Sequence, residues 1–321
     1  MIKILANDGI HPDGLLLLED AGYEVHTEKV AQDQLVNVLN NYDGLIVRSA
    51  TKVRKQEIDA APNLKLIVRG GVGLDNIDVA YAESKGVKVL NTPRSSSSAV
   101  AELAFAHIFS LARSLHVSNR EMPVRGATEF KKLKDTYSDA GFQLRGKTLG
   151  VVGFGRIGQE VARIGLGLGM NVIPVDLVQR EMKIDLELYK MQDAAVSLTV
   201  RTVSMDEMLP QADFISVHLP FTGGKSILGK EQFEKMKTGV ILINTSRGGA
   251  IGELDLLEAL ESGKVGGAGL DVFVDEPTPR KELINHPKIS VTPHIGASTI
   301  EAQTNIGLEI GDIMIEFFGT E

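Results

Sequence analysis

A strand-like run, Leu149-Gly150-Val151-Val152, leads straight into Gly153-Phe154-Gly155-Arg156-Ile157-Gly158, and helical spacing follows from Gln159. In that order the first glycine admits a tight turn. The second lets backbone N–H groups approach a pyrophosphate, and the third lets helix and strand pack closely. A bare glycine pattern is weak evidence, because such turns also arise for packing alone. Here the next run, Asn171-Val172-Ile173-Pro174-Val175, ends at Asp176, at the offset of roughly 20 residues where an acid accepts from ribose hydroxyls and repels a 2′-phosphate. NAD is therefore expected over NADP, with Arg180 close enough in sequence to blunt the discrimination. A second glycine-rich loop, Gly70-Gly71-Val72-Gly73-Leu74-Asp75-Asn76, lacks the third motif glycine and is expected to hold something else.

Three later segments each place a polar residue just past an apolar run: Asn244-Thr245-Ser246-Arg247-Gly248-Gly249, Gly269 to Pro277 with Glu276, and Thr292 to Thr299 with His294. Doubly wound sheets bind ligands at the C-terminal ends of their strands, so Arg247, Glu276 and His294 are expected to converge. Singly, each has a bland account, such as an arginine paired to a surface acid or a satisfied structural histidine. Together they suit oxidation of a hydroxy acid. A hydride leaves carbon only if the hydroxyl proton leaves too, and a histidine is suited to take it. A neighbouring glutamate stabilises the imidazolium and selects one tautomer. An arginine fork binds a carboxylate through two parallel hydrogen bonds, which lysine does less well.

Positioning these groups takes βαβ units, and short Val/Ile/Leu runs alternating with helical spacing supply them. The first series reads Ile2–Ala6, Tyr23–His26, Gly44–Arg48, Leu64–Arg69 and Val87–Leu90. The second reads Thr148–Val152, Val172–Val175, Phe214–Val217, Val240–Ile243, Gly267–Leu270 and Ile289–Thr292. Between them Ser95-Ser96-Ser97-Ser98 precedes an apolar stretch from Ala99 to Leu115, expected to be a long helix, capped by a serine, that crosses between domains. Ser298 to Phe318 has helical spacing, and Gln179 to Val203 resists assignment. The fold class expected is α/β with two doubly wound parallel-sheet domains.

The 321 residues exceed the usual size of one core, and 43% hydrophobic with 24% charged residues is ordinary globular composition. A net charge of -8 without a basic stripe argues against a nucleic-acid partner. The absence of cysteine excludes disulfides, thiolate metal sites and cysteine nucleophiles. The other histidines are scattered, so no metal is expected. The start lacks a long apolar segment and no run is long enough to cross a bilayer, so a soluble cytoplasmic protein without membrane contact is expected.

The Gly153–Gly158 loop and the three late segments, in this order and placement, resemble the signature blocks of the D-2-hydroxyacid dehydrogenase family over nearly the whole chain. The resemblance implies a Rossmann NAD-binding domain, residues 98–292, inserted into a flavodoxin-like substrate-binding domain, residues 1–97 plus 293–321. It implies that His294 is the general acid/base, that Glu276 orients it and that Arg247 holds the substrate carboxylate. It further implies that Thr245, Ser246 and Asp271 touch the nicotinamide end and that Arg156 and Ile157 line the pyrophosphate, and it implies a homodimer formed through the helix from Ala99 and its neighbours. The stretches Leu45 to Val53 and Val68 to Asp78 resemble those of the family's phosphoglycerate dehydrogenase branch, with Arg48, Ser49, Arg69, Gly70, Gly71 and Val72 as substrate contacts. A phosphorylated 2-hydroxy acid, oxidised in the first step of serine synthesis, is then the expected substrate. The chain would be a short form without C-terminal regulatory domains. Alternatives are a hydroxypyruvate or glyoxylate reductase using the same residues, and a non-enzymatic NAD(H)-sensing corepressor on the same fold. Arg94 with the serine run, the absence of tryptophan from Arg125 to Phe130 and a long 179–203 segment depart from the family pattern.

Overall fold

The runs of Val, Ile and Leu form strands that are apolar on both faces, which suits parallel sheets covered on both sides. The computed structural model describes residues 1–138, 140–187, 195–221 and 223–319. The first sheet comprises β1 (Lys3–Ala6), β2 (Glu24–His26), β3 (Gly44–Val47), β4 (Leu66–Arg69) and β5 (Lys88–Asn91), all parallel, in the order β2-β1-β3-β4-β5. That is the flavodoxin-like order. One face packs on Leu35, Leu39, Ile58 and Ala82. The other is covered by Leu18 and by Ile306, Ile310 and Met314 of the helix Ile300–Phe318.

The next strands are β6 (Thr148–Val152), β7 (Asn171–Val175), β8 (Glu181–Glu187), β9 (Ala195–Arg201), β10 (Phe214–Val217), β11 (Val240–Asn244), β12 (Val265–Leu270) and β13 (Ile289–Val291). All but β8 and β9 build a parallel sheet in the order β13-β12-β11-β10-β6-β7. The order reverses between β6 and β10, where an open α/β sheet offers its ligand crevice. The helix Ser97–Ala112 packs Phe105 and Ile108 against one face. A second helix, Leu115–Ser138, follows it. The serine run enters the first helix at Ser97, and its side chains tie the preceding turn: Ser95 donates to Glu309, and Ser97 Oγ donates to the carbonyl of Pro93.

The unassigned segment is a hairpin. β8 and β9 pair antiparallel from Glu181↔Arg201 to Glu187↔Ala195. Its apolar residues alternate, and Ile184, fully buried, joins the Phe105–Phe214 core with Met182 and Val200 beside it. Residues 188–194 of the segment lie outside the described residues.

Contacts divide the chain into Met1–Ser97 with Ala297–Glu321, and Ser98–Gly296. The return to the first unit falls later than Pro293. The reason is that the amides of Ile295 and Gly296 donate to Asp271, 2.8 and 2.9 Å away, and hold the His294 segment to the second unit. No described helix is long and apolar enough to cross a membrane.

Candidate active site

In the second unit, β6 ends in the turn Gly153–Gly155, and the helix Arg156–Gly167 starts at once with Gly155 as its N-cap. No side chain caps that helix, so its first N–H groups are available to an anion. Gly153 has φ +94°, which glycine adopts freely, and a Cβ on Gly158 would lie 2.1 Å from the Gly153 carbonyl oxygen. A Cβ on Gly155 would meet nothing within 4 Å, so this side of the turn is open. Asp176, directly after β7, accepts from the amide of Leu177 at 2.7 Å and faces Arg180 at 3.8 Å. After β11, Thr245 is buried with its hydroxyl unpartnered, and Ser246 is held by Asn244. An uncapped helix end, an open glycine turn, a ribose-reading acid and an unused buried hydroxyl fit a dinucleotide.

His294 and Glu276 are in direct contact. The histidine Nδ1 lies 2.7 Å from Glu276 Oε2, and Glu276 Oε1 accepts from the Phe273 amide at 2.9 Å. A carboxylate only accepts, so Nδ1 carries the proton and Nε2 is left with a lone pair. His294 has φ 55°, a left-handed conformation that costs energy in any residue with a Cβ. What holds it there is Asp271. This carboxylate, 1% exposed, accepts from Thr292 Oγ1 at 2.6 Å and from the two amides that follow His294. Asp271, expected at the nicotinamide end, thus anchors the histidine loop with both oxygens.

Arg247 donates to the carbonyl of Ser246 at 2.7 Å, and its own carbonyl accepts from Asn244. The next residue explains why this loop is close to the glutamate loop: a Cβ on Gly248 would lie 2.0 Å from the Phe273 carbonyl oxygen, so only glycine allows the two backbones to approach. Sequence reading missed Thr292, Ser290 and His107. The signal was Ser290 and Thr292 in alternate positions of an apolar strand segment, which places two hydroxyls on one face.

The first unit is described by itself. Arg48 follows β3 and Arg69 ends β4, and the two strands pair with Val47 opposite Arg69. The order β2-β1-β3 makes the gap between β1 and β3 this sheet's switch point, so the loop at Arg48 stands where such sheets bind ligands. Asp8, after β1, pins that loop by accepting from the amides of Arg48 and Thr51 at 2.8 and 3.0 Å, and Asn76 donates to the carbonyls of both. Ser49 and Val72 are exposed, while Gly70 and Gly71 are buried. The Arg48 guanidinium makes no ion pair among the described residues. A Cβ on Gly71 would lie 2.4 Å from Arg69 Nη1, so that glycine leaves room for the Arg69 fork.

Strand, glycine turn, uncapped helix and the acid after β7 define a dinucleotide-binding unit of the Rossmann kind. Residues 105–296 match the family model of the D-isomer specific 2-hydroxyacid dehydrogenase NAD binding domain. The chain is 42% identical over 323 residues to a hydroxypyruvate reductase of Thermotoga maritima, covering 99% of this chain and 98% of that one. It is 40% identical to a D-3-phosphoglycerate dehydrogenase of Bacillus subtilis, covering 99% of this chain but only 57% of that protein. The apo D-mandelate dehydrogenase structure from Rhodotorula graminis aligns with a TM-score of 0.84 at 26% identity, over 98% of this chain and 94% of that one. An NAD-dependent formate dehydrogenase from Staphylococcus aureus, in complex with NAD, aligns at 0.76 and 28% identity, over 99% and 97%. The chain belongs to the D-2-hydroxyacid dehydrogenase family, and its cofactor is NAD.

Proposed function

We propose that this dehydrogenase interconverts D-3-phosphoglycerate and 3-phosphohydroxypyruvate, with His294 as general acid/base, Glu276 as its orienting partner and Arg247 as the carboxylate clamp. The observation that carries the reading is the His294–Glu276 contact of 2.7 Å, which leaves Nε2 to accept the hydroxyl proton. NAD, when bound by the residues named below, would supply the hydride acceptor for C2. The protein's part is to hold the groups and move the proton. As Nε2 takes the proton the ring becomes cationic, and Glu276, itself fixed by the Phe273 amide, stabilises that charge. Arg247 pairs with the substrate carboxylate and polarises a keto oxygen in the reverse direction.

In this reading Gly153, Gly155, Arg156, Ile157, Gly158, Asp176, Thr245 and Ser246 bind NAD, and Asp271 keeps a lone pair for it beside its loop contacts. The unit of residues 1–97 and 297–321 would bind the substrate and that of residues 98–296 the cofactor. Arg48, with no carboxylate partner among the described residues, and Arg69 serve the phosphate, together with Ser49, Gly70, Gly71 and Val72. The product would enter serine biosynthesis in the cytoplasm. A homodimer through the helices Ser97–Ala112 and Leu115–Ser138 is supported by their exposed Phe109, Leu115, Met122, Val124 and Phe130. Sedimentation as a monomer at working concentration would refute it.

A second reading, reduction of unphosphorylated hydroxypyruvate, is favoured by the Thermotoga maritima relative, which matches over nearly the full length of both chains. NADH oxidation measured side by side with 3-phosphohydroxypyruvate and hydroxypyruvate separates the two, with Arg48→Gln as control. A preference for the phosphorylated acid that vanishes in the variant supports the first reading. Equal or better turnover of hydroxypyruvate selects the second and leaves the His294, Glu276 and Arg247 roles in place.

A further inference from the structure

A second histidine is wired to the loop that carries His294. His107 interrupts the apolar run Ala104-Phe105-Ala106-His107-Ile108 and is 2% exposed. Its ring bridges two hydroxyls, with Nδ1 2.9 Å from Ser290 Oγ and Nε2 3.0 Å from Thr292 Oγ1. β12 makes room for it: a Cβ on Gly269 would lie 2.5 Å from the Cβ of His107. Burial holds the ring neutral, pushing its pKa down to about 4, with Asp271 opposing and His116 reinforcing that shift.

Counting protons fixes the direction of the chain. Thr292 has one hydroxyl hydrogen, and the Asp271 carboxylate 2.6 Å away can only accept it. Thr292 therefore accepts from His107, so Nε2 bears the ring proton, and Nδ1 accepts from the Ser290 hydroxyl. Each bond points toward Asp271, which in turn receives the amides of Ile295 and Gly296 next to the left-handed His294.

We propose that His107 is a positioning residue for proton transfer: its Nε2–H fixes the Thr292 hydroxyl on Asp271, and Asp271 so held fixes the conformation of His294. The inference rests on the reading of His294 as the acid/base. Without the Nε2–H, the Thr292 hydroxyl loses its only donor among the described residues and is free to rotate off Asp271, and the loop amides lose a fixed acceptor. The chain of bonds meets the proposed cofactor contacts only at Asp271 and leaves the Gly153–Gly158 turn and Asp176 untouched, so cofactor binding should change little while turnover suffers.

The test uses the full-length protein, NADH and whichever of hydroxypyruvate and 3-phosphohydroxypyruvate it turns over faster. His107→Leu removes both ring contacts, Thr292→Val removes the hydroxyl at constant size, and His107→Gln places an amide N–H where Nε2 was. Misplacement by about 1 Å costs on the order of 100-fold in rate, so kcat should fall at least ~10-fold in His107→Leu and in Thr292→Val, with the NADH Kd within about twofold of wild type. His107→Gln should recover most of the loss, and the His107→Leu/Thr292→Val double variant should be no worse than either single one. Wild-type kcat in His107→Leu, failure of glutamine to rescue, or an unaffected Thr292→Val would each overturn the proposal. If His107→Leu does not fold, Thr292→Val and His107→Gln still decide it. His294→Gln separates this inference from the reading beneath it. Full activity there removes the acid/base role itself. An inactive His294→Gln beside fully active His107→Leu and Thr292→Val removes only the positioning role.

Discussion

Acidification should destabilise the cofactor unit through two buried histidines. Burial pushes His107 down from 6.5 to about 4, and burial alone pushes His218 down to about 3. His218 has Nε2 2.7 Å from Ser216 Oγ and its Nδ1 buried without a partner. In the unfolded chain both rings protonate near 6.5, whereas in the fold they stay neutral. Their stabilising contribution is therefore complete above pH 6.5 and is lost as pH falls toward the folded values. At pH 5.5 an unfolded ring is about nine-tenths protonated and the folded one nearly bare, so stability should drop by about 1.2 kcal/mol per pH unit for each ring. For His107 that amounts to about 2 kcal/mol between pH 7 and pH 4.5. Asp213, raised by burial but pulled lower overall by the Thr148 amide and Lys237, gives up its charge only at more acid pH, outside this window. The assay is urea unfolding followed by circular dichroism, since the chain has no tryptophan. The transition of the cofactor unit is the one that NADH shifts at neutral pH. His107→Gln, which cannot titrate, should halve the slope of stability against pH between 6 and 5. A variant curve parallel to that of the wild type would refute the reasoning, whatever its absolute stability.

Glu276→Gln keeps the shape but cannot stabilise a cationic His294, so kcat should fall about 100-fold with NADH binding unchanged; a kcat within a few-fold of wild type would remove the pair from the mechanism. Gly158→Ala forces a methyl to 2.1 Å from a backbone oxygen, and the strain of about 1–3 kcal/mol should appear as an NADH Kd raised about tenfold or more in fluorescence titration. Asp176→Ser removes the negative charge proposed to face the ribose and the partner of Arg180, so the ratio of kcat/KM for NADH over NADPH should narrow by about tenfold; an unchanged ratio would assign discrimination elsewhere. Ile184→Asp puts a charge on the buried face of the β8–β9 hairpin and should expose residues 181–201 to limited proteolysis at a rate well above wild type.

How much of this was legible in the sequence depends on how local the physics is. The central parallel strands declare themselves because they are apolar on both faces, and the glycine turn does so because three backbone constraints fall within six residues. The β8–β9 hairpin was equally local. Glu181-Met182-Lys183-Ile184-Asp185-Leu186 alternates strictly, and Val196, Leu198 and Val200 repeat the pattern, yet a search for continuous apolar runs passes over an amphipathic ribbon. His107 was hidden for a different reason. A single histidine in an apolar helix reads as a satisfied core residue, and satisfied it is; what satisfies it lies 183 and 185 positions away, on a strand whose two hydroxyls also look unremarkable alone. The left-handed φ of His294 was the least accessible feature. No residue beside it demands that conformation, and it follows from the carboxylate of Asp271, earlier in the chain, taking the two amides that come after His294. Local pattern therefore reveals which groups can do chemistry, whereas the conformation in which His294 stands is set by bonds between elements far apart in sequence. That division is why Arg247, Glu276 and His294 could be named as candidates from the sequence, while the bonds behind His294 required the fold.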